Sequence, residues 1–198
     1  MLTRRTLMCS ATAFALAMCA AVPAFADPDA ALAKLQETVL SKGPSGEDPS
    51  PASDVVLTDE ELAKIKEMGA TAAIVMHYGG NDWSQAQING LQTQFAAMGI
   101  KVISVTDAGF KPEKQVSDLE TIMAQSPDII VSIPTDPTAT AAAYRAAAEA
   151  GAKLVFMDNV PTGFVPGTDY VSIVSADNYG NGVAAAHLMA KALGPDGG

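Results

Sequence analysis

The sequence predicts an α/β fold in which helices flank a parallel β-sheet. Short apolar runs alternate with stretches of helical spacing: the runs lie at 72–76, 102–105, 129–133 and 154–157, and the helical stretches at 83–98, 113–125 and 138–150. The apolar runs lack polar alternation, which is typical of strands covered on both faces. Helical connections of this length supply the right-handed crossovers that parallel strands need. The sequence therefore predicts a Rossmann-like layered domain.

The residues before the first strand have a different composition. Residues 27–57 are predicted to be a flexible lead-in, with a short helix over 30–42. The stretch 43–53 (GPSGEDPSPAS) is rich in Pro, Gly, Ser and acidic residues, which cannot bury enough apolar area to fold alone. Thr58 and Glu61 then have capping-box spacing, which predicts that a helix begins there.

Later helix ends and the last elements are also marked in the sequence. Gly99 and Gly151 follow predicted helices at positions typical of left-handed C-cap residues. A fifth strand is expected at about 170–174 and a helix at about 178–193. The chain then stops at 194–198 (GPDGG), where a βα series should continue with a strand, so we expect a truncated chain.

The first 26 residues have the pattern of a secretory signal peptide. Arg4 and Arg5 precede an uncharged stretch, and Ala24-Phe25-Ala26 precedes the acidic Asp27. A basic start, an apolar centre and a small-x-small site predict export and cleavage after Ala26. A permanent membrane anchor is the alternative, but small residues and a proline interrupt the apolar stretch. The paired arginines leave the twin-arginine and general secretion routes open.

The leader also carries both cysteines, Cys9 and Cys19. The mature chain would therefore have no disulfide, no zinc-thiolate site and no cysteine nucleophile. Without Arg4 and Arg5, 10 basic residues face 22 acidic residues, a formal charge of −12. Such an acidic chain repels phosphate backbones, so nucleic acid is not an expected partner.

Polar side chains cluster where the predicted strands end. Ligands of open α/β sheets bind beyond the carboxyl ends of the strands. Carboxylates and amides pair with hydroxyl groups, and a Trp ring can cover the apolar face of a sugar. We therefore expect a site for a sugar or polyol, with no cofactor, no metal and no catalytic residue. Its six candidate residues are Tyr78, Asn81, Trp83, Asp107, Asp158 and Asn159.

Several of the acidic and aromatic residues at the strand ends have a structural interpretation as well. Asp136 and Asp177 are interpreted as helix caps, and Asp107 as either a cap or a ligand contact. His77 is interpreted as a loop histidine without a ligand role. Asp158 ends an apolar strand (LVFMD) in the middle of the predicted cleft, which favours ligand contact.

Three runs of sequence resemble one family. They are IVMHYGGNDWSQAQINGLQTQFAAMGIKVISV, QSPDIIVSIPTDPTATAAAYRAAAEAGAKLVFMDN and YVSIVSADNYGNGVAAAHLMAKALG. In order and spacing they resemble the first lobe of the ribose-type, type I periplasmic binding proteins of ABC transporters, over about 71–195. The IPTDP, MDN and SADNYGNG segments are the most specific.

The resemblance implies a two-lobed protein that holds its solute between the lobes. With the predicted signal peptide at 1–26 and the predicted lead-in at 27–57, the N-terminal lobe would span 58–175. Residues 176–198 would be the crossover and first helix of a second lobe that is otherwise largely missing.

The resemblance also assigns roles to single residues. Asn81 and Trp83 resemble the pair that touches the sugar from the first loop, and Asp158 resembles the aspartate that holds sugar hydroxyls. Asn159 stands where ribose binders carry an arginine, and Ile133 where some members carry a ligand-binding asparagine. These departures put ribose itself in doubt.

The function that the resemblance implies is capture of a sugar or polyol in the periplasm for the permease of an ABC importer, with the membrane contacted only through the transporter. A periplasmic sensor for a chemoreceptor or histidine kinase has the same fold and stays open. A dinucleotide enzyme is disfavoured because Tyr78-Gly79-Gly80-Asn81-Asp82-Trp83 lacks the third glycine of G-x-G-x-x-G. A sugar-responsive repressor would need a basic DNA-binding segment at the N-terminus instead of an export leader.

Overall fold

A computed structural model describes residues 27–194; the predicted leader and residues 195–198 lie outside the described residues. The elements in chain order are α1 (Pro28–Leu35), a short 3-10 helix (Ala52–Val55), α2 (Asp59–Met68), β1 (Thr71–Met76), α3 (Asp82–Ala97), β2 (Lys101–Asp107), α4 (Pro112–Met123), β3 (Ile129–Ser132), α5 (Ala141–Glu149), β4 (Lys153–Met157), β5 (Ser172–Val174) and α6 (Asn178–Leu193).

The five strands form one parallel sheet in the order β2-β1-β3-β4-β5. This confirms the predicted parallel sheet flanked by helices. The chain leaves β1 toward β2 and then returns to build β3 on the other side of β1. Such a reversal places a crevice at the carboxyl ends of β1 and β3, where open α/β sheets bind ligands.

The two faces of the sheet carry separate apolar cores. Ala73 and Val75 of β1 point to a cluster with residues of α4 and α5, around Tyr144 and Phe156. Ile74 and Met76 point to the opposite face, where α3 covers them. Alternate residues of one buried strand thus serve two cores, which explains why the strands are apolar without alternation.

The helix starts and stops follow local chemistry. Thr58 and Glu61 form the predicted capping box, in which the Glu61 N–H donates to Thr58 Oγ1 (3.3 Å) and the Thr58 N–H donates to the Glu61 carboxylate (2.8 Å). Gly99 and Gly151 have φ of 74° and 102°, which confirms their left-handed conformations.

Two helices, α1 and α5, differ from their predicted bounds by three residues or more at one end. Helix α1 ends at Leu35 although helical spacing continues to 42, because no residue of this helix is buried and packing does not extend it. Helix α5 begins at Ala141 and not at 138. The Asp136 carboxylate accepts the N–H groups of Thr138 and Ala139, both at 2.8 Å, and so holds a turn there instead.

Among the helices of residues 27–194, none combines the length and the apolar character needed to cross a membrane.

Candidate functional site

His77, directly after β1, lies at the centre of the carboxyl edge. Its ring meets Trp83 and Phe110 edge-on, with centroids 6.2 and 5.1 Å away. Burial lowers the pKa of His77 below its ordinary value, and the negative charges of Asp158 and Asp107 oppose that shift. Both carboxylates therefore act on the imidazole that Trp83 contacts, which brings three predicted site residues around one ring.

The first turn of α3 presents Asn81 and Trp83. The Oδ1 atom of Asn81 caps the helix by accepting the Ser84 N–H at 2.8 Å, a role that leaves the amide NH2 group for other partners. Trp83 is 50% exposed. The loop before them is held by Gln85, whose side-chain amide donates to the Gly79 carbonyl at 2.7 Å.

Tyr78 stacks on Phe110, with centroids 4.7 Å apart and planes at 13°. The Phe110 N–H also donates to the His77 carbonyl at 2.8 Å. Phe110 has φ of 60° and is 58% exposed, an uncommon conformation for a bulky residue. Sequence reasoning missed Phe110, although it lies only three residues past the end of β2, where the strand-end rule applies.

Gly79 and Gly80 lie where the side chains of Asp107 and Tyr78 approach the loop backbone closely. A Cβ on Gly80 would lie 2.4 Å from the Tyr78 hydroxyl, and one on Gly79 would lie 3.1 Å from Asp107 Oδ2. Neither glycine has a positive φ. The small residues thus let the Tyr78 and Asp107 side chains pack over the loop backbone.

Asp107, Asp136 and Asp177, for which helix capping was considered from the sequence, accept backbone N–H groups at different places. Asp177 caps α6 by accepting the Gly180 N–H at 2.9 Å, which confirms its interpretation. Asp136 caps the turn before α5 and not the helix itself. Asp107 accepts the Gly109 N–H at 2.8 Å and does not cap α4, whose N-cap is Lys111. Its side chain is exposed, and ligand contact by Asp107 stays a prediction.

Asp158 and Asn159 follow β4. Asp158 has φ of 62°, which for an aspartate is tolerated but uncommon, and it is exposed. Its N–H donates to the Val174 carbonyl at 3.0 Å, and Ser175 Oγ lies 3.5 Å from its Oδ1 atom. Asn159 donates from Nδ2 to the Pro134 carbonyl at 3.3 Å, which ties the loop after β4 to the loop after β3.

Unpaired polar atoms concentrate at this edge. Within residues 27–194, six buried side-chain polar atoms have no hydrogen-bond partner. Only Tyr170 Oη lies elsewhere; the other five are His77 Nδ1, Ser84 Oγ, Thr106 Oγ1, Thr135 Oγ1 and Asn159 Oδ1. Buried polar groups are nearly always paired with protein or ordered water, and each of these five atoms is closed to solvent in this conformation.

In the described part of the chain, no three His, Cys, Asp or Glu side chains come together in a way that could hold a metal ion.

The chain is similar to solute-binding proteins. The family model for the periplasmic binding protein domain matches residues 72–198. The ribose import binding protein of Bacillus subtilis (strain 168) is 32% identical over 106 residues, which cover 53% of this chain and 33% of that protein.

Solved structures with the same fold are also solute-binding proteins. An ABC transporter solute-binding protein from Mycobacterium smegmatis with bound glycerol superposes with a TM-score of 0.58 at 25% identity, covering 65% of this chain and 43% of that one. The Caulobacter myo-inositol binding protein bound to myo-inositol gives 0.55 at 27%, covering 63% and 40%. The chain thus spans between a third and less than half of the length of these relatives.

These relatives are binding proteins and not enzymes, in agreement with the expectation from the sequence. They are two-lobed proteins of which this chain matches a part, in agreement with the predicted single lobe. The family match extends over well more than half of the chain, and the chain therefore belongs to the periplasmic binding protein domain family.

Proposed function

We propose that this protein captures a sugar or polyol in the periplasm and delivers it to the permease of an ABC importer. The observation that carries the proposal is the grouping of two exposed carboxylates, Asp107 and Asp158, and the half-exposed Trp83 indole around His77 at the carboxyl edge of the sheet. A polyhydroxylated solute offers donors and acceptors in adjacent pairs, which is the complement of such an edge.

The exposed groups at the same edge fit this class of solute. Asp107 and Asp158 supply charged acceptors, which form stronger hydrogen bonds to hydroxyls than neutral groups do. Trp83 offers a half-exposed indole for the apolar face of a sugar ring. The proposed contacts are Trp83, Asp158 and Asp107, with Asn81, Asn159 and Tyr78 completing the rim.

Relatives support the same class of solute. Three similar structures hold bound glycerol, alpha-D-tagatopyranose and myo-inositol, and the similar Bacillus subtilis protein is a ribose import binding protein. Hydroxyl groups on a small carbon skeleton are what these molecules share. We propose that a second lobe closes over the solute, with 58–175 as the first lobe and 176–198 as the crossover and first helix. Residues 1–26 are proposed to direct export to the periplasm.

The proposal is tested by solute binding. Trp83 is the only tryptophan of the chain, so its emission reports on the proposed site alone. Pentoses, hexoses, inositols and linear polyols are titrated, with amino acids as controls, and thermal shifts are recorded in parallel. A solute at about a hundred times its Kd stabilises the folded state by roughly 2.7 kcal/mol. The screen is run on this chain and on any longer product of its gene.

Asp158→Asn and Asp59→Asn form a matched pair of variants for this test. Asp59 is exposed, begins α2 and forms none of the hydrogen bonds described for the candidate site. Loss of a charged hydrogen-bond acceptor predicts about ten- to hundredfold weaker binding for Asp158→Asn. Asp59→Asn should leave the Kd unchanged. A response to amino acids alone, or to no solute in either version of the protein, would refute the proposal.

A further inference from the structure

The lead-in before the lobe is attached to the last helix. The N–H groups of Leu40 and Ser41 donate to the two carboxylate oxygens of Asp177, at 2.8 and 2.9 Å. The same carboxylate accepts the N–H of Gly180 in the first turn of α6, at 2.9 Å. One side chain therefore caps α6 and binds a segment more than 130 residues earlier in the sequence.

Further contacts extend this attachment along the whole helix. Ser41 Oγ accepts the N–H of Tyr179 at 3.2 Å, beside Asp177. At the other end of α6, Lys191 lies 2.5 Å from Asp29 in an ion pair, and α1 packs against α6 between these points. Residues 29–41 thus run antiparallel to α6 and contact both of its ends.

The Asp177 carboxylate is suited to this role because it stays charged. Donation from Leu40, from Gly180 and from Ser41 lowers the pKa of Asp177 to about 2. The acceptor is therefore ionised at any periplasmic pH, and hydrogen bonds to an ionised acceptor are the stronger kind.

We infer that residues 29–41, which we name the α6 clamp, restrain the crossover at which the chain leaves the first lobe. Past the clamp, the chain continues into α2, whose Ile65 packs on a cluster with Ala72 of β1 and Ile100 before β2. The lead-in is thus held by the lobe at one end and by α6 at the other. Hinges absorb their rotation in a few residues at element ends, and a tether that spans such a point limits the rotation.

The inference rests on the proposed two-lobed receptor, in which α6 would be the first helix of the second lobe. On that basis Asp177 is a positioning residue that acts through the clamp and touches no solute. A simple helix cap would affect only the first turn of α6, whereas the clamp predicts an effect on α6 from a change in the lead-in alone.

Hydrogen exchange of the full chain tests the clamp. Asp177→Ala should release the amides of Leu40 and Ser41, with exchange at least about tenfold faster. Asp136→Ala is the matched control, because the Asp136 carboxylate likewise accepts backbone N–H groups, those of Thr138 and Ala139, and neither belongs to the lead-in. It should leave both amides protected.

A second pair of variants separates the clamp from the cap. Leu40→Pro removes one N–H donor and leaves Asp177 free to cap α6, while Leu40→Ala keeps the donor. We expect faster exchange throughout α6 in Leu40→Pro and unchanged exchange in Leu40→Ala. Equal exchange in the two variants, or unprotected Leu40 and Ser41 amides in the unmodified protein, would overturn the inference. None of these exchange measurements needs a solute, so their outcome does not depend on the result of the binding screen.

Discussion

The hydroxyl groups of Ser132 and Tyr144 form a buried hydrogen-bonded pair beside the central strands, and their contribution to stability can be predicted. Ser132 ends β3, and its Oγ donates to the Val75 carbonyl of β1 at 2.8 Å. The Tyr144 hydroxyl of α5 lies 2.5 Å from Ser132 Oγ. All three residues are fully buried. Burial raises the pKa of Tyr144, so its hydroxyl stays protonated. Because the single proton of Ser132 Oγ is donated to Val75, the Tyr144 hydroxyl is the donor to Ser132.

The geometry predicts unequal costs for the two single substitutions. Ser132→Ala leaves the Tyr144 hydroxyl buried without a partner, which costs about 1–3 kcal/mol. The Val75 carbonyl is not left unpaired, because it also accepts the Ile133 N–H at 3.2 Å. Tyr144→Phe removes one hydrogen bond but leaves Ser132 paired with Val75, a loss of about 0.5–1.5 kcal/mol.

The double variant should be less destabilised than the sum of the two single variants. Once Tyr144 has lost its hydroxyl, Ser132→Ala no longer leaves an orphan donor, and a coupling of about 1 kcal/mol is expected. The free energy of unfolding is measured in urea by circular dichroism, with unchanged m-values as the check on two-state comparison.

Ser84→Ala is the matched control for this cycle. Ser84 is as buried as Ser132, but its Oγ has no partner, so its removal should cost little and should add to Tyr144→Phe within about 0.5 kcal/mol. If Ser132→Ala costs no more than Tyr144→Phe, or if their effects simply add, the assigned direction of the hydrogen bonds is wrong.

The remaining predictions concern the candidate site and helix α3. A protonated imidazole quenches a neighbouring indole, so the emission of Trp83 should fall on acidification with a midpoint below pH 6.5, and His77→Gln should abolish this step. Because burial favours neutral His77, its contribution to stability is complete above pH 6.5 and is lost as the pH falls toward the lowered pKa. Gly80→Ala should displace Tyr78 from its aromatic stack at a cost of about 0.5–1.5 kcal/mol and change the near-ultraviolet circular dichroism. Gly90→Ala, in an open position of α3, should instead stabilise the protein by about 0.5–1 kcal/mol; a loss of stability there would contradict the helix geometry.

The elements that sequence predicted best are those fixed by local chemistry. Helix α6 (Asn178–Leu193) has the predicted bounds because Asp177 provides its cap and Gly194 follows its end. Strand β4 begins one residue earlier than predicted, at Lys153. Helix α5 was misplaced because an aspartate before a helix can cap a preceding turn equally well, and residue spacing does not distinguish the two geometries.

The location of the candidate site could be predicted from the rule that ligands bind beyond the carboxyl ends of parallel strands. The arrangement of the side chains within the site could not be predicted from sequence. Strand ends are visible as the points where apolar runs stop, so the edge that holds His77 and Asp158 could be named from sequence. The stack of Tyr78 on Phe110 depends on the positive φ of Phe110. Nothing in the residue order signals that conformation, because a phenylalanine is neither a turn residue nor a usual left-handed one.

The contacts of the lead-in with α6 could not be predicted from sequence either, because they join residues more than 130 positions apart. The stretch 43–53, rich in Pro, Gly, Ser and acidic residues, was predicted to lie outside the core, and none of its residues is buried, nor is any residue of α1 or of the 3-10 helix. Composition, however, indicates only whether a segment can fold by itself. The α6 clamp depends on backbone N–H groups, which nearly every residue has, so composition cannot predict it. What selects Leu40 and Ser41 is the position of the Asp177 carboxylate, which only the assembled sheet fixes. A segment judged unable to fold by itself can therefore still have a defined partner, and in this chain that partner is the helix at the proposed hinge.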